Sequence, residues 1–295
     1  MKNGAFMRLH PLPAALWIAL TAMITMFITD PVLLFLSLLG AVSFSAAVQD
    51  RKRFWGGLLF LLLLFFLLAL TNPLFSHSGN TTLFRLFGDP VTLEALLCGV
   101  DLAAMALASL LWWQCFSAVM TTDKLLCLFG RVIPRLSLTL SLSLRFLPLF
   151  RRQWEEIRQT QIGIGYGAGR SLFSRIKGAA RIFSALVTWA LENAVDTASS
   201  MRARGHGLPG RSRFFLFRMT VRDRILTGSA VLLGALTLFA MGRGRFRFSF
   251  YPQLSSLTFD AETLAGYAAF ALLSFLPLIL ECTEALTWKF LRSKI

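Results

Sequence analysis

Charge is scarce in this chain. Only 15% of its 295 residues are Asp, Glu, Lys or Arg, against about 25% in soluble domains. With 56% hydrophobic residues there is too much apolar surface for a soluble fold to hide. The composition therefore predicts a polytopic membrane protein. Acids are scarcer still, 15 against 30 Lys and Arg, and leave a net charge of +15. Cysteine is limited to Cys98, Cys115, Cys127 and Cys282, three of them in apolar stretches. No CxxC or Cys/His spacing occurs, which argues against a disulfide framework or zinc site and for buried free thiols. His10, His77 and His206 are scattered and give no metal pattern. No Walker A loop is present, so the chain is not expected to bind and hydrolyse ATP itself. HExxH, GxSxG and the Rossmann glycine pattern are also missing. No catalytic residue, cofactor or metal ligand is expected.

What is present is a series of apolar runs. A membrane span needs about 20 mostly apolar residues in a helix. Six candidates fall at about Pro13–Thr29, Pro31–Val48, Trp55–Thr71, Leu93–Met120, Ile225–Met241 and Leu264–Leu286. The first is read as a retained span, because no small-residue cleavage site follows it. Asp30-Pro31 joins the first two, in what could be a tight hairpin. Asp101 lies inside the fourth span, where an acid is a functional candidate by default. The sequence offers it no intramembrane basic partner, so a proton relay finds little support.

The basic residues predict orientation. Arg51, Lys52 and Arg53 put the loop between spans two and three inside. Asn72–Pro90 carries one arginine, Arg85, and reads as external. Thr121–Arg224 holds eighteen Lys and Arg against six Asp and Glu, and reads as a cytoplasmic or interfacial block. Lys289, Arg292 and Lys294 place the C-terminus inside with the N-terminus. Arg243, Arg245 and Arg247 run against this scheme, since they fall in an external loop. The expected organisation is a membrane domain over 1–120, a helical cytoplasmic domain over 121–224 and a second membrane domain over 225–295. The fold class is all-α, with about six spans.

Within the block, "TTDKLL" (Thr121–Leu126) reads as a helix start. "LSLTLSLSL" (Leu136–Leu144) alternates like a strand, but no partner strands are visible, and helix is preferred. The segment from Pro148 is helical to about Gln161, where Gly163, Gly165, Gly167, Ala168 and Gly169 break it. Glu155 and Glu156, flanked by arginines, read as salt-bridged rather than catalytic. A further helix is predicted from about Leu172 to Ala203. Val187, Leu191, Val195 and Ala198 lie on one face, and Glu192, Asp196 and Ser199 on another. Gly205 is placed to close that helix, with Arg202 and Arg204 at the negative end of its dipole.

Four segments together resemble the transmembrane T component of energy-coupling factor (ECF) transporters, the vitamin, cobalt and nickel uptake family. "NPLF" (Asn72–Phe75) looks like the loop after the family's third span. "LFRLFGDPVTLEALLCGV" (Leu83–Val100) is similar to the start of its fourth. "TTDKLLCLF" followed by "SLRFLPLF" (Ser143–Phe150) resembles the run into its coupling helices. "ALENAVDTASSMRARG" (Ala190–Gly205) resembles its most diagnostic segment, a helix ending in Ala-Arg-Gly. The family carries two such endings. Here the second is intact as Ala203, Arg204 and Gly205, whereas the first falls on Gly163, Ile164 and Gly165, with Ile164 in the arginine's place. The resemblance implies a non-catalytic coupling subunit in the cell membrane. It implies two ATP-binding cassette ATPase subunits docked at these residues and at Arg202, a small membrane protein that captures substrate, the lipid bilayer as surroundings, and no nucleic acid. An intramembrane enzyme and a self-sufficient permease are the competing readings. The first would need grouped His, Asp and Glu, and the second polar residues along several spans.

Overall fold

The apolar runs become helices, and short polar residues fix where they begin. A computed structural model describes residues 6, 9–76, 79, 81–86, 89–165, 172–209, 217–251, 255 and 260–292. His77, Gly167, Ala168, Gly169, Arg170 and Lys294 lie outside them. Among the described residues there are nine helices: α1 (Pro11–Phe27), α2 (Pro31–Val48), α3 (Arg51–Phe75), α4 (Leu93–Val119), α5 (Thr122–Val132), α6 (Pro134–Gly163), α7 (Leu172–Ala203), α8 (Val221–Gly242) and α9 (Ala261–Arg292). Asp30 caps α2 by accepting from the amides of Val32 (2.9 Å) and Leu33 (3.4 Å), with Pro31 in the first turn. Thr220 and Asp223 form a reciprocal capping box at the start of α8. The all-α membrane class read from the sequence holds, with one small addition. Strands β1 (Thr82–Leu86) and β2 (Asp89–Thr92) pair antiparallel just before α4.

The chain forms two compact units, Met1–Leu125 with Phe217–Ile295, and Leu126–Leu216. In the first, five helices are long and apolar enough to cross a membrane: α2, residues Phe54–Phe75 of α3, α4, α8 and residues Ala261–Trp288 of α9. The sixth, α1, has 17 residues, about 25 Å of helix. It is short but well enclosed, with Trp17 and Ile18 buried. The two ends of this bundle are distinct. At one, the Thr29 hydroxyl donates to the Phe246 carbonyl (3.1 Å), and Ser76 and Tyr251 share a hydrogen bond (3.3 Å). At the other, the His10 amide donates to Asp223 (3.3 Å) and the Phe6 amide to Glu281 (3.0 Å). Six helices running alternately between the two ends account for both sets.

α4 packs against α1, α2 and α3, while α9 packs against α2 and α8. The connection between α1 and α2 is tight, but the helices do not form a closely packed hairpin. They meet near the turn, where Thr25 and Ser37 hydroxyls lie 2.6 Å apart, and each then packs on α4. Both buried indoles there are paired: Trp112 Nε1 donates to Ser37 Oγ (3.0 Å) and Trp17 Nε1 to the Leu273 carbonyl (2.7 Å). The segment expected as a loop, Asn72–Phe75, instead forms the last turn of α3 despite Pro73. Asn72 Nδ2 donates to the Ala95 carbonyl (3.0 Å), so the turn is held by α4. A Cβ on Gly99 would sit 2.5 Å from the Ala69 carbonyl, so only glycine fits this crossing of α3 and α4. The four cysteines are free, but only Cys115 is fully buried and Cys282 is exposed. The cause is that an apolar span places some of its faces outward.

Candidate coupling site at two helix ends

The second unit is built on α6 and α7. Leu138, Leu142, Phe146, Phe150 and Ile157 recur at helical spacing on the more enclosed side of α6. Phe150 meets Trp189 of α7 edge-on, ring centroids 6.0 Å apart, and stacks on Phe146 at 5.8 Å. The alternating "LSLTLSLSL" lies inside α6 and is helical, as expected. Its hydroxyls bond back along the helix, as Ser143 does to the Thr139 carbonyl (2.9 Å). Glu156 pairs with Arg152 (3.1 Å) and Glu155 with Arg158 (3.5 Å), so the acidic pair is salt-bridged.

α7 ends at Ala203, and the two bonds beyond it close the turn. The His206 amide donates to the Met201 carbonyl (3.0 Å), and the Gly205 amide to the Arg202 carbonyl (2.9 Å). With Gly205 at φ +77° this is a Schellman closure, which an L side chain at that position would strain. Arg202, Ala203 and Arg204 stand exposed on the tip. Neither arginine makes an ion pair among the described residues.

α6 ends with the inner of these two bonds; the residue that would make the outer one lies outside the described residues. Gly163 is its last residue, and the Gly165 amide donates to the Ile162 carbonyl (2.9 Å) with φ +89°. Ile164 occupies the place that Arg204 takes in α7, and is 66% exposed. An aliphatic side chain that open to solvent gains nothing by folding alone. The two tips do not converge. Gly163 lies 13 residues beyond Phe150 and Ala203 lies 14 beyond Trp189, about 20 Å of helix each. The connection from Gly163 to Leu172 reaches about 30 Å at most. α7 is about 47 Å long, so at least about 15 Å separates the α6 tip from Ala203. They are two sites rather than one.

The closure itself is not peculiar to these tips. α8 ends in Gly242, Arg243 and Gly244 with the same pair of bonds, Gly244 to Met241 (2.9 Å) and Arg245 to Ala240 (3.3 Å). There the arginines are engaged: Arg243 and Arg245 pair with Glu262, and Arg245 also with Asp260. What distinguishes the α7 tip is an arginine left open.

A second feature escaped the sequence reading. The apolar face of α7 read from the sequence is not the face turned to α6, which Trp189 marks. Phe173, Ile176, Phe183, Val187, Leu191 and Val195 form a stripe at three-, four- and seven-residue spacing, all exposed. On α6, Leu136, Leu140, Leu144 and Leu147 do the same. An apolar area of this extent marks a surface that something covers. Periodicity located the face but gave no sign that it was uncovered. No group of His, Cys, Asp and Glu suited to a metal occurs among the described residues.

The fold and its two glycine-closed tips define a polytopic helical membrane protein with a second, helical unit. Comparison with known proteins makes the class more specific. No model of a protein family matches the chain. Five curated proteins named as energy-coupling factor transporter transmembrane protein do, at 27–35% identity. The protein of Listeria innocua is 35% identical over 120 residues, 39% of this chain and 45% of its own length. That of Exiguobacterium sibiricum is 34% identical over 110 residues, 36% of this chain and 41% of its own length. These two matches thus span less than half of the relatives. The protein of Brevibacillus brevis is 27% identical over 209 residues, 68% of this chain and 77% of its own length. The resemblance to the T components of ECF transporters is shown by sequence as well as by motif.

Proposed function

We propose that this chain is the coupling subunit of an ECF-type importer. In this reading it is non-catalytic. Two ATPase subunits dock on the tips of α6 and α7, a separate small membrane protein captures a vitamin or transition-metal ion, and this chain links ATP hydrolysis to the movement of that protein. Both termini face the cytoplasm, as the basic residues require. The observation that carries the reading is Arg204: exposed, unpaired among the described residues, and set on a helix end whose geometry two hydrogen bonds fix. A guanidinium presented in this way suits paired bonds to carboxylates or carbonyls of a partner groove. The exposed stripes of α6 and α7 supply apolar surface for the capture protein or for lipid. The relatives' shared name supports the complex as a whole.

The test is ATPase co-purification and uptake in cells expressing equal amounts of each variant. Hydrogen bonds to a charged group contribute about 1.5–3 kcal/mol, so Arg204→Ala should weaken the complex about tenfold or more. Arg204→Lys should rescue only part of the loss, since lysine keeps the charge without the fork. Full complex and full uptake with Arg204→Ala would leave Arg204 as a dipole-compensating residue and nothing more.

A further inference from the structure

Asp101 has no role in the coupling reading, and its setting is unusual. It stands eight residues into α4, about 12 Å from the start of the helix. It makes no hydrogen bond or ion pair with the described residues. Asp30, a nearby carboxylate at this end of the bundle, is engaged by its two capping bonds and by the Tyr267 hydroxyl (2.7 Å). Asp101 opens instead onto a cavity of about 340 Å³. Its walls are otherwise apolar, formed by α2 (Leu34, Phe35), α4 (Leu97, Ala104) and the segment after α8. That segment contributes Phe248 and Phe250, whose rings meet edge to face at 4.9 Å. No basic side chain lines the space.

We propose that this cavity binds a hydrophobic amine, its ammonium group held by the Asp101 carboxylate beside the rings of Phe248 and Phe250. A carboxylate in an apolar wall is stabilised by a positive partner, and none of the side chains lining the cavity is basic; Arg247, beside Phe248, is not among them. Aromatic rings add an electrostatic attraction for the same charge. The apolar remainder of the cavity takes the body of the ligand. A phospholipid headgroup fits less well, because its phosphate would enter a space with no cation to meet it. A single positive charge on an apolar body satisfies every wall. The site is independent of the coupling reading, since it involves no residue of either helix tip.

The test uses the full chain, purified in detergent with the subunits that accompany it. Calorimetric titration compares 4-phenylbutylamine with 4-phenylbutan-1-ol, the neutral molecule of similar shape. The amine should bind saturably and at least about tenfold tighter than the alcohol, given a desolvated charge pair. Asp101→Asn should erase that preference while leaving alcohol binding unchanged. Phe250→Leu, which keeps the carboxylate and much of the apolar volume, should weaken the amine about three- to tenfold. ATPase co-purification should be unaffected by either substitution. Equal binding of amine and alcohol, or no saturable binding of the amine, overturns the proposal. Phosphatidylethanolamine in phosphatidylglycerol nanodiscs should fail to displace the amine. If it does displace it, the site belongs to a lipid headgroup and the assignment to a free amine is wrong.

Discussion

Arg204 and Ile164 each precede a glycine of positive φ at a helix end, and this sets up a direct exchange. Ile164→Arg should strengthen the ATPase complex, because the turn already presents its side chain outward. Unchanged co-purification would mean that the α6 tip makes no such contact. Gly205→Ala should cost about 1 kcal/mol in the closure of α7 through its left-handed backbone. It should also reduce the complex while Arg204 is intact, a loss readable in the same co-purification. Lys124 behaves differently. Its side chain is buried, and its Nζ has no hydrogen-bond partner among the described residues. Burial pushes its pKa below the ordinary lysine value. A lysine depressed in this way destabilises the fold where charge is forced into the site, and the penalty fades as pH rises toward the unfolded value near about 10. Lys124→Met should therefore stabilise the protein by about 1–3 kcal/mol at pH 7, with the gain shrinking at higher pH. A melting temperature that falls on substitution would contradict this.

At the scale of elements, the proposed reading gives the tip and the exposed stripe of α7 separate tasks. Leu191→Glu with Val195→Glu puts charge on the exposed stripe and leaves the tip untouched. Uptake should fall while ATPase co-purification persists; loss of both together would deny the separation. In α4, Gly99→Ala forces a methyl group against the Ala69 carbonyl. Overpacking of this kind costs about 1–3 kcal/mol, and should appear as a lower melting temperature. The ends of α7 and the helicity of "LSLTLSLSL" were legible because glycine placement and the need for strand partners are local facts. The β-hairpin before α4 was not. Four- and five-residue strands sit in a stretch whose composition only suggested a loop. Nor was the last turn of α3, because Pro73 argues for a break, and what holds that turn is Asn72 on the distant Ala95. Periodicity found the apolar face of α7, but exposure depends on what packs nearby.

For the whole molecule, orientation rests on charge. The cluster Arg243, Arg245 and Arg247 ran against the rule in the sequence. In the structure, Arg243 and Arg245 are offset by Asp260 and Glu262. A partly neutralised cluster opposes translocation less than a free one in simple electrostatic terms. In a cysteine-free background, Ser249→Cys should react with an impermeant reagent from outside intact cells, and Ser199→Cys should not. The reverse pattern would invert the topology. The central claim, that this chain carries ATPase subunits at its helix tips rather than acting alone, is tested most directly by native mass spectrometry of the complex purified through it. The account predicts one copy of this chain with two ATP-binding subunits and one small membrane protein, the ATPase subunits being lost on Arg204→Ala. A chain that purifies without ATPase subunits and binds nucleotide by itself would contradict it.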